Sequence, residues 1–379
     1  MTSATTTTPA TTAAQLSSRE LQEDGNAFDF LLGHWRVYNR RLLRPLTGST
    51  EWIEFEGTST VRPLWDGQGN FEEWQADAPT GQISAVSLHL YDPRSRQWSL
   101  HWATRADGRI GTPTVGRFVN GRGEFYDHED YMGRAIFLRL IWEPRGATAC
   151  RFEQAFSLDG GRTWETNWIM EFTRVSTGPS AATPAVDTPA QANAQRFSTA
   201  HAGPAAPDHD AHGFDFLHGQ WHVHNRRLRA PLTGSTEWYE FEGSSVERPL
   251  WGGEGNLEEY DATLPDGSRL RGLALRLFQP DARQWTIHWS NSANGTLDPA
   301  VTGAFRYGRG EFYSHESYQG RMIFVRFHWT SFGQNAARWE QAFSSDGGHT
   351  WETNWIMEFT RTRHHAARAR RFVPTASVT

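Results

Sequence analysis

The sequence predicts an all-β protein built as two antiparallel β-barrels in tandem, and two observations carry the prediction. The first is an internal repeat. TWETNWIMEFTR stands at residues 163–174 and again at 350–361. FDFLLGHWRVYNRRL (28–42) returns as FDFLHGQWHVHNRRL (214–228), and PLTGSTEW (45–52) returns unchanged at 231–238. The offset is 186 residues at first and 187 after one insertion near Ala78. Solenoid and propeller units run to roughly 20–50 residues, so a period this long is a duplicated domain. The second observation is tryptophan. There are 18, nine per copy and eight at matching positions, interleaved with charged residues. Separating apolar from charged at every second position is what a strand does.

Along the first copy, residues 35–42, 52–56, 84–91, 97–103, 123–128, 135–142, 151–157 and 163–173 read as strands. Turn signals separate them: LTGS at 46–49, DGQGN at 66–70, Asp92-Pro93, Asp107-Gly108, Asn120-Gly121 and Asp159-Gly160-Gly161. Helical periodicity is confined to short pieces near Phe28 and Phe214. Eight to ten antiparallel strands in a copy of about 150 residues must hide their edges, and barrel closure does this. A barrel of about eight strands has room for one small ligand. The expected organisation is a disordered tail (1–26), barrel one (27–175), an Ala/Pro/Thr-rich linker (176–212), barrel two (213–362) and a basic tail (363–379).

Composition excludes several functions. A net charge of −6 and a mean hydropathy of −0.64 give no nucleic-acid signature. No apolar run approaches the roughly 18 residues of a membrane span, and MTSATTTTPATTAA lacks the features of a secretion signal. A cytoplasmic protein without nucleic-acid or membrane partners is expected. Cys150 is the single cysteine and aligns with Ala337, which removes disulfides and a duplicated Cys nucleophile. All 37 basic residues are arginine, so Schiff-base chemistry and P-loops are absent.

The opening FDFLLGHW (28–35) and the closing DGGRTW…W…FTR (159–174), matched at 214–221 and 346–361, resemble a bacterial family of unknown function with a calycin, lipocalin-like barrel. The resemblance covers both copies and implies that fold with a ligand cavity; it brings no catalytic residues. Gly33-x-Trp35 is similar to the lipocalin signature, whose Trp plugs one barrel end. The start is more distantly similar to small haem-binding barrels, but their glycine-rich continuation is absent, and no cofactor or metal is expected.

Residues 157–164 and 344–351 fit the pattern S-x-D-x-G-x-T-W. Its Asp accepts turn-backbone hydrogen bonds, its glycines allow positive φ and its Trp packs over the turn. The repeated segment therefore writes mostly a closing hairpin.

Ligand-contacting residues are expected to point into the cavity. With Trp35 inward, Val37, Asn39 and Arg41 share its side, as Trp221, Val223, Asn225 and Arg227 do in the second copy. His101 and His288, in SLHWA and TIHWS, are the expected proton donors or acceptors. The expected site is thus Trp35, Asn39, Arg41 and His101, then Trp221, Asn225, Arg227 and His288. On the second strand Ile53 and Phe55 face the core, leaving Glu54 and Glu56 solvated. Arg139 either clamps an anion from inside or lies outside. His128-Glu129 is expected in a rim loop, and His222 with His224 on a solvated strand face. No Ser-His-Asp spacing, HExxH or nucleotide loop appears. Two functions fit: binding of a small apolar or aromatic molecule, or a cofactor-independent cyclase, isomerase or hydrolase acting on a secondary metabolite. The tandem arrangement allows contact between the barrels within the chain.

Overall fold

The structure, a computed structural model, describes residues 24–177 and 210–362. The expected linker and both tails fall almost wholly outside the described residues. The first barrel comprises β1 (Gly33–Leu42), β2 (Trp52–Leu64), β3 (Gly69–Ala78), β4 (Gly81–Asp92) and β5 (Gln97–Thr104). It continues with β6 (Thr114–Val119), β7 (Arg122–Tyr131), β8 (Arg134–Pro144), β9 (Ala149–Ser157) and β10 (Glu165–Ser176). Each strand pairs with the next, and β1 pairs antiparallel with β10, which closes the barrel.

The second barrel repeats this order and closure. Its strands are β11 (Gly219–Leu228), β12 (Trp238–Leu250), β13 (Gly255–Thr263), β14 (Arg269–Gln279) and β15 (Gln284–Asn291). They are followed by β16 (Val301–Arg306), β17 (Arg309–Tyr318), β18 (Arg321–Ser331), β19 (Ala336–Ser344) and β20 (Glu352–Arg361). Closure leaves no unpaired edge in either ring. Among the described residues no helix is long and apolar enough to cross a membrane.

Two strands per barrel are absent from the sequence reading, β3 and β6 in the first. In β3 the inward positions are Asn70, Glu72, Trp74 and Ala76, and the outward ones Phe71, Glu73, Gln75 and Asp77. Each face mixes polar with apolar, so period two does not show. β6 has only six residues.

One end of each barrel, the floor, is sealed. The 3-10 turn Asp29–Leu31 lies there, and Phe28 contacts the rings of His89, Trp98, Phe118 and Phe125 at 4.7–5.6 Å. Trp35 donates its indole N–H to Leu31 O at 2.7 Å. Arg174, from the repeated segment, lies 4.0 Å over the Trp35 ring and donates to the Phe30 and Leu32 carbonyls. Arg361 and Trp221 do the same in the second barrel, at 4.1 Å. The Gly-x-Trp spacing follows from this packing. Gly33 has φ +118°, and a Cβ there would lie 2.5 Å from Ser176 O. Gly33→Ala is therefore expected to lower the melting temperature of the first barrel by ~3–10 °C through strain and clash together. Gly48→Ala, at φ +76° in open space, tests strain alone. Equal shifts for the two variants would refute the packing explanation.

The opposite end, the mouth, carries the β9–β10 hairpin. Asp159 accepts hydrogen bonds from the Thr163 amide (2.9 Å), Thr163 Oγ1 (2.7 Å), Ser157 Oγ (2.8 Å) and the Arg162 amide (3.0 Å). These bonds, led by the Thr163 amide, hold its carboxyl down to about 2. The Arg139 guanidinium lies 4.6 Å over Trp164 on the outer wall, so Arg139 is outward. Glu171, also outward, pairs with Arg151 at 2.5 Å and Arg145 at 3.2 Å.

The unchanged PLTG segment also acts at the mouth. The Leu46 amide donates to Glu165 Oε1 at 2.6 Å, and the Leu46 side chain packs on Ile136, Leu138 and Phe156. Leu232 repeats this with Glu352, Ile323, Val325 and Phe343.

Candidate ligand site in the barrel lumens

Register decides which side chains enter the lumen. Trp35 stands opposite Ser59, Val37 opposite Gly57, Asn39 opposite Phe55 and Arg41 opposite Ile53, and these pairs form the inner face. The partners Arg40 and Glu54 form an outer ion pair at 3.3 Å, as the charged face of the second strand requires.

The first-strand residues divide between the two ends. Trp35 is sealed into the floor. Asn39, fully buried, accepts the Trp168 indole N–H at 3.2 Å and donates to Val37 O. Arg41 is exposed at the mouth with its guanidinium 5.1 Å over the Trp168 ring. Asn225, a half-buried Arg227 and Trp355 make the same contacts at 3.1 and 4.5 Å, while Trp221 is sealed like Trp35. The repeated segment thus supplies an anchor at each end, Trp168 at the mouth and Arg174 at the floor.

His101 and His288 do not line the lumen, and this corrects the expectation. On β5, Trp98, Leu100 and Trp102 belong to the interior cluster. Alternation sends Ser99, His101 and Ala103 to the outer face, where His101 Nε2 meets Ser99 Oγ at 3.0 Å. The bulkier apolar set takes the inside, and a single histidine between two apolar neighbours leaves that phase unspecified. Both histidines are nonetheless buried, and burial lowers each to about 4. The His128-Glu129 expectation is corrected too. Both residues lie within β7, with Glu129 opposite Ile136 on the inner face and raised by burial. His222 and His224 are on the outer face as expected, where Glu242 meets them at 3.3 and 2.7 Å.

Three indoles form the upper lumen of the first barrel. The ring centroids of Trp74, Trp102 and Trp168 are 5.8, 5.8 and 6.1 Å apart. Partly buried Ile53, Ile83 and Leu140 pack against the same cluster.

Below Trp74 lies a residue that sequence reasoning missed. Glu72 points inward, 3% exposed, and accepts the Ser59 hydroxyl at 2.6 Å. Burial pushes its carboxyl up to about 7. Its cross-strand partners are Val61 and Ser87. Ser87 Oγ lies 2.8 Å from His89 Nε2, and burial lowers His89 to about 3, so the imidazole is neutral. One available signal was the recurrence of the carboxylate as Glu258 within a Trp- and Tyr-containing segment.

The second lumen differs in charge. Glu258 and Ser245 keep the Glu72 and Ser59 positions, but Glu247 replaces Val61 and Arg276 replaces His89. All are buried, and Ser245 Oγ lies 3.3 Å from Glu247 and 3.1 Å from Glu258. Tyr260 stands in the Trp74 position. A separate groove of about 500 Å³ lies on the outer wall, lined by residues that include Arg117, Arg122, Glu124 and Tyr126. Among the described residues no three His, Cys, Asp or Glu side chains are arranged to hold a metal.

Fold and lumen together define a tandem ten-stranded β-barrel protein. No family model matches the chain, and no curated protein matches it. Among solved structures, it is similar to a protein of unknown function of the DUF3598 family from Nostoc punctiforme. That likeness has 11% identity and a TM-score of 0.27, covering 89% of this chain and 99% of the other. A second is EF1p2_mFAP2b bound to DFHBI, with 12% identity and a TM-score of 0.23 over 40% of this chain and 98% of that one. A third is a double mutant of transferrin-binding protein B from Haemophilus parasuis, with 5% identity and a TM-score of 0.19 over 86% and 75%. At these values function has to be read from the chain's own residues.

Proposed function

We propose that each barrel binds a small apolar or aromatic molecule in its lumen, admitted at the mouth. The observation that carries this is the Trp74–Trp102–Trp168 group, with Trp168 fixed by Asn39 and capped by the exposed Arg41. Aromatic walls supply affinity at about 25 cal/mol per Å² of apolar area removed from water, and one fixed polar group supplies orientation. The same reading takes 27–175 and 213–362 as the folding units of a calycin-like protein of the bacterial cytoplasm, with no nucleic-acid or membrane partner.

Titration of the full chain with naphthalene and with 2-naphthoate, read by tryptophan quenching, tests it. Trp168→Leu is expected to weaken naphthalene binding about tenfold or more at the first site. Arg41→Ala should weaken 2-naphthoate and leave naphthalene unchanged. His101→Ala, outside the lumen, should change neither. Absence of saturable binding of both probes would refute the proposal.

The alternative, a cofactor-independent cyclase, isomerase or hydrolase acting on a secondary metabolite, is favoured by one observation. Glu72 is a buried carboxyl poised near neutrality inside an aromatic lumen. Turnover that vanishes in Glu72→Gln, with binding kept, would establish it.

A further inference from the structure

We propose that the first lumen, unlike the second, takes an uncharged ligand bearing a hydrogen-bond acceptor, of the aryl ketone or aldehyde class, with the Glu72 carboxyl as its donor. This rests on the reading of the lumens as ligand sites.

The hydrogen bonding around Glu72 is one-sided. Ser59 engages Oε1, and this is the hydrogen bond of Glu72 among the described residues. A proton on Oε2 then makes that oxygen a donor. Trp74, next on the same face of β3 and fully buried, has an indole N–H without a partner among the described residues. Trp142, 3% exposed and also inward on β8, has the same. A buried N–H left without a partner costs free energy comparable to a lost hydrogen bond, and a ligand acceptor relieves that cost. Both indoles stand on the inner face, Trp74 on β3 and Trp142 on β8.

The inward cation at the floor, Arg174 opposite Trp35, is committed to the Trp35 ring and to the Phe30, Leu32 and Ala147 carbonyls. On β4 the neighbour is His89, kept neutral by burial and bonded to Ser87. Cys150, inward on β9, is pushed up by burial and stays a thiol. Asp127 and Glu129 on β7 lie toward the mouth and add negative charge, with Glu129 itself raised. On β1 the charged inward residue is Arg41, exposed at the mouth over Trp168. Apart from Arg174, the facing positions of β2, β5, β6, β8 and β10 are uncharged: Ser59 and Val61, Leu100 and Trp102, Thr114 and Phe118, Leu140 and Trp142, Met170 and Phe172. An anionic head group at Glu72 would find Arg174 already engaged by Trp35 and three carbonyls, whereas a neutral carbonyl finds the Glu72 donor. Burial pushes Glu72 up to about 7, so the donor is present at pH 6 and largely lost at pH 8.5. In the second lumen buried Glu247 and Arg276 stand where Val61 and His89 stand in the first, so the polar pattern around the carboxyl differs.

The test uses two near-isosteres, 2-acetylnaphthalene and 2-ethylnaphthalene, titrated into the full chain by tryptophan quenching and fitted as two sites. At pH 6 the first site should prefer the ketone about tenfold, and at pH 8.5 the preference should fall to about twofold or less. Glu72→Leu should remove it at both pH values. Glu72→Gln keeps an N–H donor and should make it independent of pH. Glu258→Gln should leave it as in the wild type. Equal affinities at pH 6, a preference surviving Glu72→Leu, or a pH dependence surviving Glu72→Gln would each overturn the inference. Ethylnaphthalene binding without a ketone preference would refute this inference alone. If neither probe binds, the lumen reading fails and takes the inference with it.

Discussion

Trp35→Ala is expected to destabilise the first barrel by about 3–5 kcal/mol, the range for deleting a large aromatic from a close-packed core. The cost is high because three interactions share this indole. It is 2% exposed, it donates to Leu31 O, and it carries the Arg174 guanidinium on its face. Alanine leaves a void at the floor and releases both the 3-10 turn and the arginine above it. Domains are commonly stable by only 5–15 kcal/mol, so the first barrel should lose a large part of its reserve. Arg174→Lys removes the fork that donates to the Phe30, Leu32 and Ala147 carbonyls, and should cost about 1–3 kcal/mol. Urea unfolding of the full chain, with Trp221→Ala as the second-barrel counterpart, reads both effects. A Trp35→Ala loss below about 1 kcal/mol would show that the floor is not held this way.

The second large effect is a pH slope. Burial raises the Glu72 carboxyl from its ordinary 4.5 to about 7. Between these values the folded chain holds a proton that the unfolded chain has released. Stability is therefore highest below about pH 4.5, falls as pH rises, and levels off above about 7. The integrated loss is about 3 kcal/mol. Glu72→Gln is neutral at every pH and can keep its bond with Ser59. The variant should match the wild type near pH 4 and exceed it by about 3 kcal/mol at pH 8. Parallel stability curves for the two proteins between pH 5 and 8 would contradict the burial of this carboxyl.

The duplication, the β class, the turns and the first-strand phase were legible because each is a local property. Repeats are read by identity, turns from Asp, Asn and Gly, and the β1 phase from Trp35, Val37 and Asn39 alternating with Arg36, Tyr38 and Arg40. The hairpin function of residues 157–164 was legible for the same reason: all its hydrogen bonds lie within a few residues. Asn39 and Arg41 follow that phase and lie on the inner face of β1. Their partner Trp168 was not foreseen, because 129 residues separate it from Asn39 and the pairing is made only when β1 closes on β10.

The histidines and Glu72 mark the other side of this division. In β5 either face could have been the inner one, since Trp98, Leu100 and Trp102 alternate with Ser99, His101 and Ala103; ring closure and bulk decided it. In β3 a carboxyl enters an apolar wall, so a local hydrophobic count misses both the strand and its glutamate. Sequence alone determined two barrels, their strand faces where one face is apolar, and the turns that link them. Tertiary structure alone decided which polar residues lie inside, because burial of a Glu or a His depends on strands distant in the chain that exclude water from it.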